Sequence, residues 1–136
     1  MEKARSYVSG VSDAPLLGMT IGEALDRARA TWGAREALVS PSHGVRLSWR
    51  ALMEQVDALA AGFLALGLER GDRIGVWSLN RPEWTVTQFA AARAGLILVT
   101  INPAYRLHEL EFALAKVGCT ALVTATAFKT SNYMEM

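Results

Sequence analysis

Residues 73–101, "RIGVWSLNRPEWTVTQFAAARAGLILVTI", decide the fold because they change from a strand-like apolar run to a helical pattern and back again. "RIGVWS" and "LILVTI" are short apolar runs without alternation, whereas the segment between them has helical spacing and begins with Pro82. A second helical pattern, "LHELEFALAKVG", and a third apolar run, "TALVTA", then follow. Continuous apolar strands separated by helices are typical of a parallel sheet that is covered on both faces.

The sequence therefore predicts an α/β fold with a parallel βαβαβ core, preceded by a helix, a hairpin and a long helix. The first helix follows Thr20, which with Glu23 matches a capping box. Residues 1–18 are expected to be an irregular lead-in, residues 19–136 an α/β subdomain, and "FKTSNYMEM" the start of a further helix. The core strands are predicted near 73–78, 96–101 and 120–125, and the helices near 49–66, 82–94 and 107–117.

The composition excludes several classes of partner. Fourteen Lys and Arg against 13 Asp and Glu give a net charge of +1, which provides no electrostatic reason to expect nucleic acid. No stretch approaches the roughly 20 apolar residues that a transmembrane helix needs. Cys119 is the single cysteine, so an internal disulfide is impossible, and "MEKARSYVSG" has no signal-peptide pattern. A cytoplasmic location is therefore expected.

Three loops fall where the predicted strands end, and ligands of open α/β sheets bind outside the carboxyl ends of the strands. The loops cover 78–82, 102–106 and 126–129. Two interpretations of Asn102, Pro103, Ala104 and Tyr105 remain open. They form a strand-to-helix turn, since Asn bonds its own backbone neighbours and Pro starts helices, or they border a ligand.

The sequence contains no complete catalytic motif. There is no glycine-rich phosphate loop, no G-x-S-x-G nucleophile turn and no His, Cys and carboxylate cluster with metal-ligand spacing. His43 and His108 are far apart, and His108 beside Glu109 indicates helix capping. No catalytic and no metal-binding residue is therefore predicted.

Four elements in order nevertheless resemble the amino-terminal part of the adenylate-forming, or AMP-binding, enzymes. They are "LSWRAL", "GLERGDRIGV", "NRPEW" followed by "AARAG", and "INPAYRLHELEFAL". The lead-in and "VGCTALVTATAFKTSNY" are most similar to the medium- and long-chain fatty acyl-CoA synthetase branch. Each element alone is weakly specific, whereas the ordered set is specific.

This resemblance implies a two-step reaction in the full-length enzyme. A fatty acid and ATP with Mg²⁺ give an acyl-adenylate and pyrophosphate, and coenzyme A then takes the acyl group. The family's phosphate loop, adenine and ribose motifs and catalytic lysine are not in these 136 residues. The chain is accordingly expected to be an amino-terminal fragment that is inactive alone, binds no cofactor by itself and self-associates through uncovered apolar surface.

The resemblance also implies a place for the ligand. In acyl-CoA synthetases the loop that corresponds to Asn102, Pro103, Ala104 and Tyr105 lies near the nucleotide end of coenzyme A. Basic residues after the next strand can face its phosphates, and Lys129 is the nearest such residue here. The alternative is a stand-alone flavodoxin-like α/β binding or scaffold module, although the strand ends carry neither an acidic cluster nor a phosphate-binding loop.

Overall fold

A computed structural model describes residues 10, 13–14 and 16–136 of the chain. The predicted lead-in over 1–18 lies largely outside the described residues. The helices are α1 (Ile21–Trp32), α2 (Trp49–Ala65), α3 (Pro82–Ala94) and α4 (Leu107–Val117). The strands are β1 (Glu36–Ser40), β2 (Val45–Ser48), β3 (Arg73–Trp77), β4 (Ile97–Ile101), β5 (Cys119–Thr124), β6 (Ala127–Phe128) and β7 (Ser131–Asn132).

The central sheet has the order β4-β3-β5, and both strand pairings are parallel. Trp77, the last residue of β3, is opposite Ile101 on one side and Thr124 on the other. The three strands therefore end at one edge of the sheet. The predicted βαβαβ core is confirmed, with α3 and α4 at the predicted positions.

Capping residues explain why the helices begin and end where they do. Thr20 and Glu23 form the predicted capping box of α1, and Pro82 occupies the first turn of α3. Gly95 and Gly118 follow α3 and α4 with left-handed backbones, at φ 74° and 61°, which glycine adopts without a Cβ clash.

Two apolar clusters lie on opposite faces of the sheet. One face packs on α2 and α3 through the larger cluster, which includes Leu52, Met53, Ile74 and Ala90. The other face packs on α4 and the carboxyl-terminal segment through Trp77, Ile101, Leu110 and Tyr133. The sheet is thus covered from both sides, as its unalternating apolar strands require.

The carboxyl-terminal segment differs from the sequence prediction. "FKTSNYMEM" was expected to begin a helix, but β6 and β7 form a short antiparallel hairpin there. A single 3₁₀ turn, Tyr133–Glu135, follows the hairpin. Two-residue strands have no measurable periodicity, so only the pairing within the folded chain distinguishes them from the start of a helix.

Candidate ligand site at the carboxyl ends of the strands

A hollow of about 170 Å³ lies between the loop after β4 and the β6–β7 hairpin. The loop follows β4 and the hairpin follows β5, which flank β3, and the parallel sheet brings their carboxyl ends to the edge where a ligand site was expected. The hollow is lined by Pro103, Ala104, Tyr105, Arg106, Phe128, Lys129, Thr130 and Ser131. Four of the five candidate site residues predicted from the sequence therefore lie together: Pro103, Ala104, Tyr105 and Lys129.

Asn102, the fifth of these residues, has a different place. Its side-chain Oδ1 accepts a hydrogen bond from the Ala104 backbone N–H at 2.9 Å, which closes a turn within the loop. The backbone oxygen of Asn102 also accepts a bond from the Tyr105 N–H at 3.0 Å. Asn102 thus shapes the loop and does not line the hollow, which supports the structural interpretation of this residue.

Replacing Asn102 with alanine is expected to lower the free energy of unfolding by about 0.5–1.5 kcal/mol, since one hydrogen bond to an exposed loop is lost. If the same free energy were lost from coenzyme A binding, the Michaelis constant for coenzyme A would rise in proportion. We expect a smaller rise in the full-length enzyme, because Asn102 acts on the shape of the loop. Urea unfolding measures the first quantity, and Asn80→Ala, in another exposed loop, is the matched control. An unchanged unfolding free energy with a large rise in the Michaelis constant would reverse the two roles.

Two cations border the hollow. Lys129 is exposed at the hairpin turn, has a left-handed backbone with φ 52°, and holds its Nζ 5.2 Å from the centre of the Phe128 ring. Arg106 donates from Nη1 to the Ser131 hydroxyl at 2.7 Å, which joins the loop to the hairpin. None of the lining residues carries a carboxylate. The electrostatics of the hollow therefore favour an anion.

Sequence reasoning missed Arg106 as a site residue, although it assigned Arg106 to the same loop. The available signal was its position directly before α4, next to Tyr105. Its role became visible only through its bond to Ser131, because that contact depends on a hairpin that the sequence did not predict.

The loop after β3 is occupied by structural contacts. Arg81 and Glu83 form an ion pair at 3.3 Å at the start of α3, and the hydrogen bond from Arg81 lowers the pKa of the Glu83 carboxyl. Thr87 donates its hydroxyl to the Glu83 backbone oxygen at 2.7 Å. These contacts belong to the start of α3, and the Arg81 cation is already paired with Glu83.

A larger groove of about 750 Å³ runs between β4 and α4. It contains both His108 and Glu109, and the Glu109 carboxylate accepts the backbone N–H of Arg106 at 2.9 Å. The capping interpretation of Glu109 is therefore correct. Most of the groove wall is apolar, and Phe112 on it is 62% exposed, so the groove resembles an uncovered packing surface more than a polar ligand site.

Across the described residues, no group of three or more His, Cys, Asp or Glu side chains is arranged to hold a metal ion. No helix within the same part of the chain is both long and apolar enough to cross a membrane.

Comparison with known proteins places these features in context. Residues 25–135 match the family model described as AMP-binding enzyme. The mitochondrial medium-chain acyl-CoA ligase ACSF2 of Danio rerio is 47% identical over 96% of this chain and 22% of its own length. The Homo sapiens protein of that name is 46% identical over 94% of this chain and 21% of its own. The chain thus spans about a fifth of the length of these curated relatives.

Solved structures agree on the fold. A Mycobacterium tuberculosis fatty acyl CoA synthetase matches with a TM-score of 0.74 and 27% identity, over 77% of this chain and 21% of that one. One expectation is wrong: the relatives are named mitochondrial, which contradicts the cytoplasmic location expected from the sequence. The absence of a signal-peptide pattern at residues 1–10 was insufficient evidence for a compartment.

Proposed function

The chain belongs to the AMP-binding enzyme family, and from this premise we propose that it is the amino-terminal part of a fatty acyl-CoA ligase. In the full-length enzyme the fatty acid carboxylate would displace pyrophosphate from the α-phosphate of ATP to give an acyl-adenylate. The coenzyme A thiol would then take the acyl group and release AMP. Relatives named medium-chain acyl-CoA ligase, at 47% and 46% identity, support this reaction and a fatty acid substrate. Family membership decides against a stand-alone flavodoxin-like module.

The contribution of these 136 residues would be to coenzyme A and not to adenylate formation. The observation that carries this proposal is the hollow, which both Lys129 and Arg106 line and which has no carboxylate in its lining. The nucleotide half of coenzyme A carries several phosphate oxygens. Lysine supplies a point charge for such oxygens, and arginine supplies a planar set of donors. Pro103, Ala104 and Tyr105 would form the rim that faces the nucleotide, and Asn102 would hold the turn of this loop through its bond to the Ala104 N–H.

Adenylate formation would depend on other residues of the full-length enzyme. That step needs cationic stabilisation of the departing pyrophosphate and a positioned Mg²⁺. The described residues provide no acidic metal cluster, and the sequence has no glycine-rich phosphate loop. We therefore propose that residues 19–136 form an incomplete subdomain that is inactive in isolation, and that ATP and Mg²⁺ bind elsewhere in the enzyme.

The function is tested first with the full-length enzyme. We expect exchange of radiolabelled pyrophosphate into ATP in the presence of straight-chain fatty acids, and acyl-CoA formation when coenzyme A is added. Pyrophosphate exchange by the isolated 136-residue chain should stay at background. A full-length enzyme that exchanges pyrophosphate with no fatty acid of the panel would contradict the proposed substrate class.

The site is tested by removing its cations. Lys129→Ala and Arg106→Ala should each raise the Michaelis constant for coenzyme A about 1.4- to fivefold, since exposed ionic contacts contribute about 0.2–1 kcal/mol each. The pyrophosphate exchange rate should not change, because coenzyme A takes no part in that step.

Lys116→Ala is the matched control for Lys129→Ala. Lys116 is also exposed and also holds its Nζ over a ring, 5.3 Å from the centre of Phe112, but it lies on α4 away from the hollow. Equal effects of the two substitutions on the Michaelis constant would show that general charge matters and that the hollow does not bind coenzyme A.

We also propose that the isolated chain self-associates through the groove between β4 and α4. β4 is an edge of the central sheet, so its outer backbone groups have no strand partner among the described residues. Apolar side chains of the groove are exposed beside this edge.

A further inference from the structure

The segment that carries Lys129 is linked to the loop after β4 by an aromatic pair beneath the hollow. Trp77 ends β3 and is 2% exposed, and Tyr133 begins the 3₁₀ turn that follows β7 and is 7% exposed. Their rings stack with centroids 3.6 Å apart and planes inclined by 12°. Such a contact fixes both rings with respect to the end of the central strand.

Each ring of the pair donates one hydrogen bond to the loop. The Trp77 indole Nε1 donates to the Asn102 backbone oxygen at 3.1 Å, and the Tyr133 hydroxyl donates to the backbone oxygen of Pro103. Two successive carbonyls are thereby held from the core side. Burial raises the pKa of the Tyr133 hydroxyl, so the hydroxyl keeps its proton and remains a donor at neutral pH.

Tyr133 is also bonded to the hairpin that forms the opposite wall of the hollow, although its own side chain does not line the hollow. Its backbone N–H donates to the Thr126 oxygen at 3.0 Å, across the base of the hairpin that presents Lys129. A single residue is therefore bonded to the loop through its side chain and to the hairpin through its backbone. The separation between the loop rim and the lysine is set by this arrangement.

We infer that Trp77 and Tyr133 are positioning residues for coenzyme A, which hold the rim loop and the Lys129 hairpin at the separation its nucleotide requires. This inference rests on the proposed function and adds two residues that lie outside the lining of the hollow. Neither side chain is needed for adenylate formation, so their effect should be confined to the second half-reaction.

The experiment uses the full-length enzyme with Tyr133→Phe, which keeps the stacked ring and removes only the hydroxyl. We expect the Michaelis constant for coenzyme A to rise about two- to tenfold, as for the loss of one partly buried hydrogen bond. The rate of pyrophosphate exchange and the Michaelis constants for ATP and fatty acid should stay at the values of the unaltered enzyme. Trp77→Phe should act in the same direction by removing the other donor.

Trp32→Phe is the control, since Trp32 lies on α1, is partly exposed and has no contact with the hollow. It should leave all of these constants unchanged. If Trp77→Phe lowers the yield of folded enzyme, Tyr133→Phe still decides the question, because phenylalanine preserves the volume of the ring.

Two results would overturn the inference. One is an unchanged Michaelis constant for coenzyme A in Tyr133→Phe, and the other is an equal loss in both half-reactions, which a purely structural role would cause. If Lys129→Ala raises the Michaelis constant for coenzyme A while Tyr133→Phe does not, the positioning role fails and the proposed site stands. If neither variant raises it, the proposed site itself fails.

Discussion

Leu52→Ala is expected to lower the free energy of unfolding by about 2–5 kcal/mol, because it removes a fully buried side chain and leaves a cavity. Leu52 lies on α2 with 1% of its surface exposed, in the cluster that joins α2 and α3 to the sheet. Its neighbours Met53 and Val56 are 0% exposed, so surrounding side chains have little freedom to fill the space. We therefore expect a value in the upper part of that range.

The same helix provides a matched control. Leu64 is 53% exposed near the end of α2, so Leu64→Ala should change the unfolding free energy by less than about 0.5 kcal/mol. Both variants replace leucine with alanine on the same helix, so they differ only in the burial of the leucine that is removed. Urea unfolding followed by circular dichroism, at a concentration where light scattering shows one species, measures both. Equal losses would mean that α2 does not pack on the sheet in solution as it does here.

Leu64 also shows what the sequence could not predict. Helical spacing places Leu52, Val56, Phe63 and Leu64 on one apolar face, and the structure buries the first three and exposes the fourth. Periodicity identifies the face of a helix that packs on a layer, but it contains no information about how far that layer extends. Phe63 in the same last turn is 4% exposed, so Leu64 is exposed because it points about 100° away from Phe63, at the margin of the apolar stripe.

The central sheet was predictable for a physical reason. Strands buried on both faces lack alternation, and their helices are bounded by Pro82, Gly95 and Gly118, so local signals and global fold agree. The rim loop was also predictable, since parallel strands end together and a ligand site of an open sheet lies at that edge.

The contacts that join the two walls of the site were not predictable, because they link segments that are distant in sequence. Lys129 itself was named from the sequence, but the left-handed hairpin turn that it occupies has no glycine to signal it. Tyr133 reaches Pro103 across 30 residues, and Arg106 reaches Ser131 across 25. No local pattern records such pairings.

Self-association of the isolated chain is expected to be abolished by a charge placed in the groove. Three apolar or aromatic side chains that line the groove are exposed: Phe112 at 62%, Val117 at 40% and Tyr105 at 37%. Soluble monomers rarely expose continuous apolar surface of more than a few hundred Å², and an unpaired strand edge adds backbone donors and acceptors for a second chain. We expect a dimer of the unaltered chain in size exclusion coupled to light scattering.

Phe112→Glu should convert this dimer to a monomer, because it replaces an exposed apolar ring with a carboxylate that would lose water in an apolar interface. In the monomer, Lys116 lies four residues along the same helix and can pair with this carboxylate at the surface. The substitution should leave the fold intact, since Phe112 contributes little to the core of the single chain. Leu66→Glu is the control: Leu66 is 79% exposed beyond the end of α2, away from the groove. A dimer that persists in Phe112→Glu and dissociates in Leu66→Glu would place the interface at the end of α2. The contrary result is an unaltered chain that stays a monomer over a wide concentration range, with no binding of a hydrophobic dye. That result would mean that β4 and α4 cover their own apolar surface in solution.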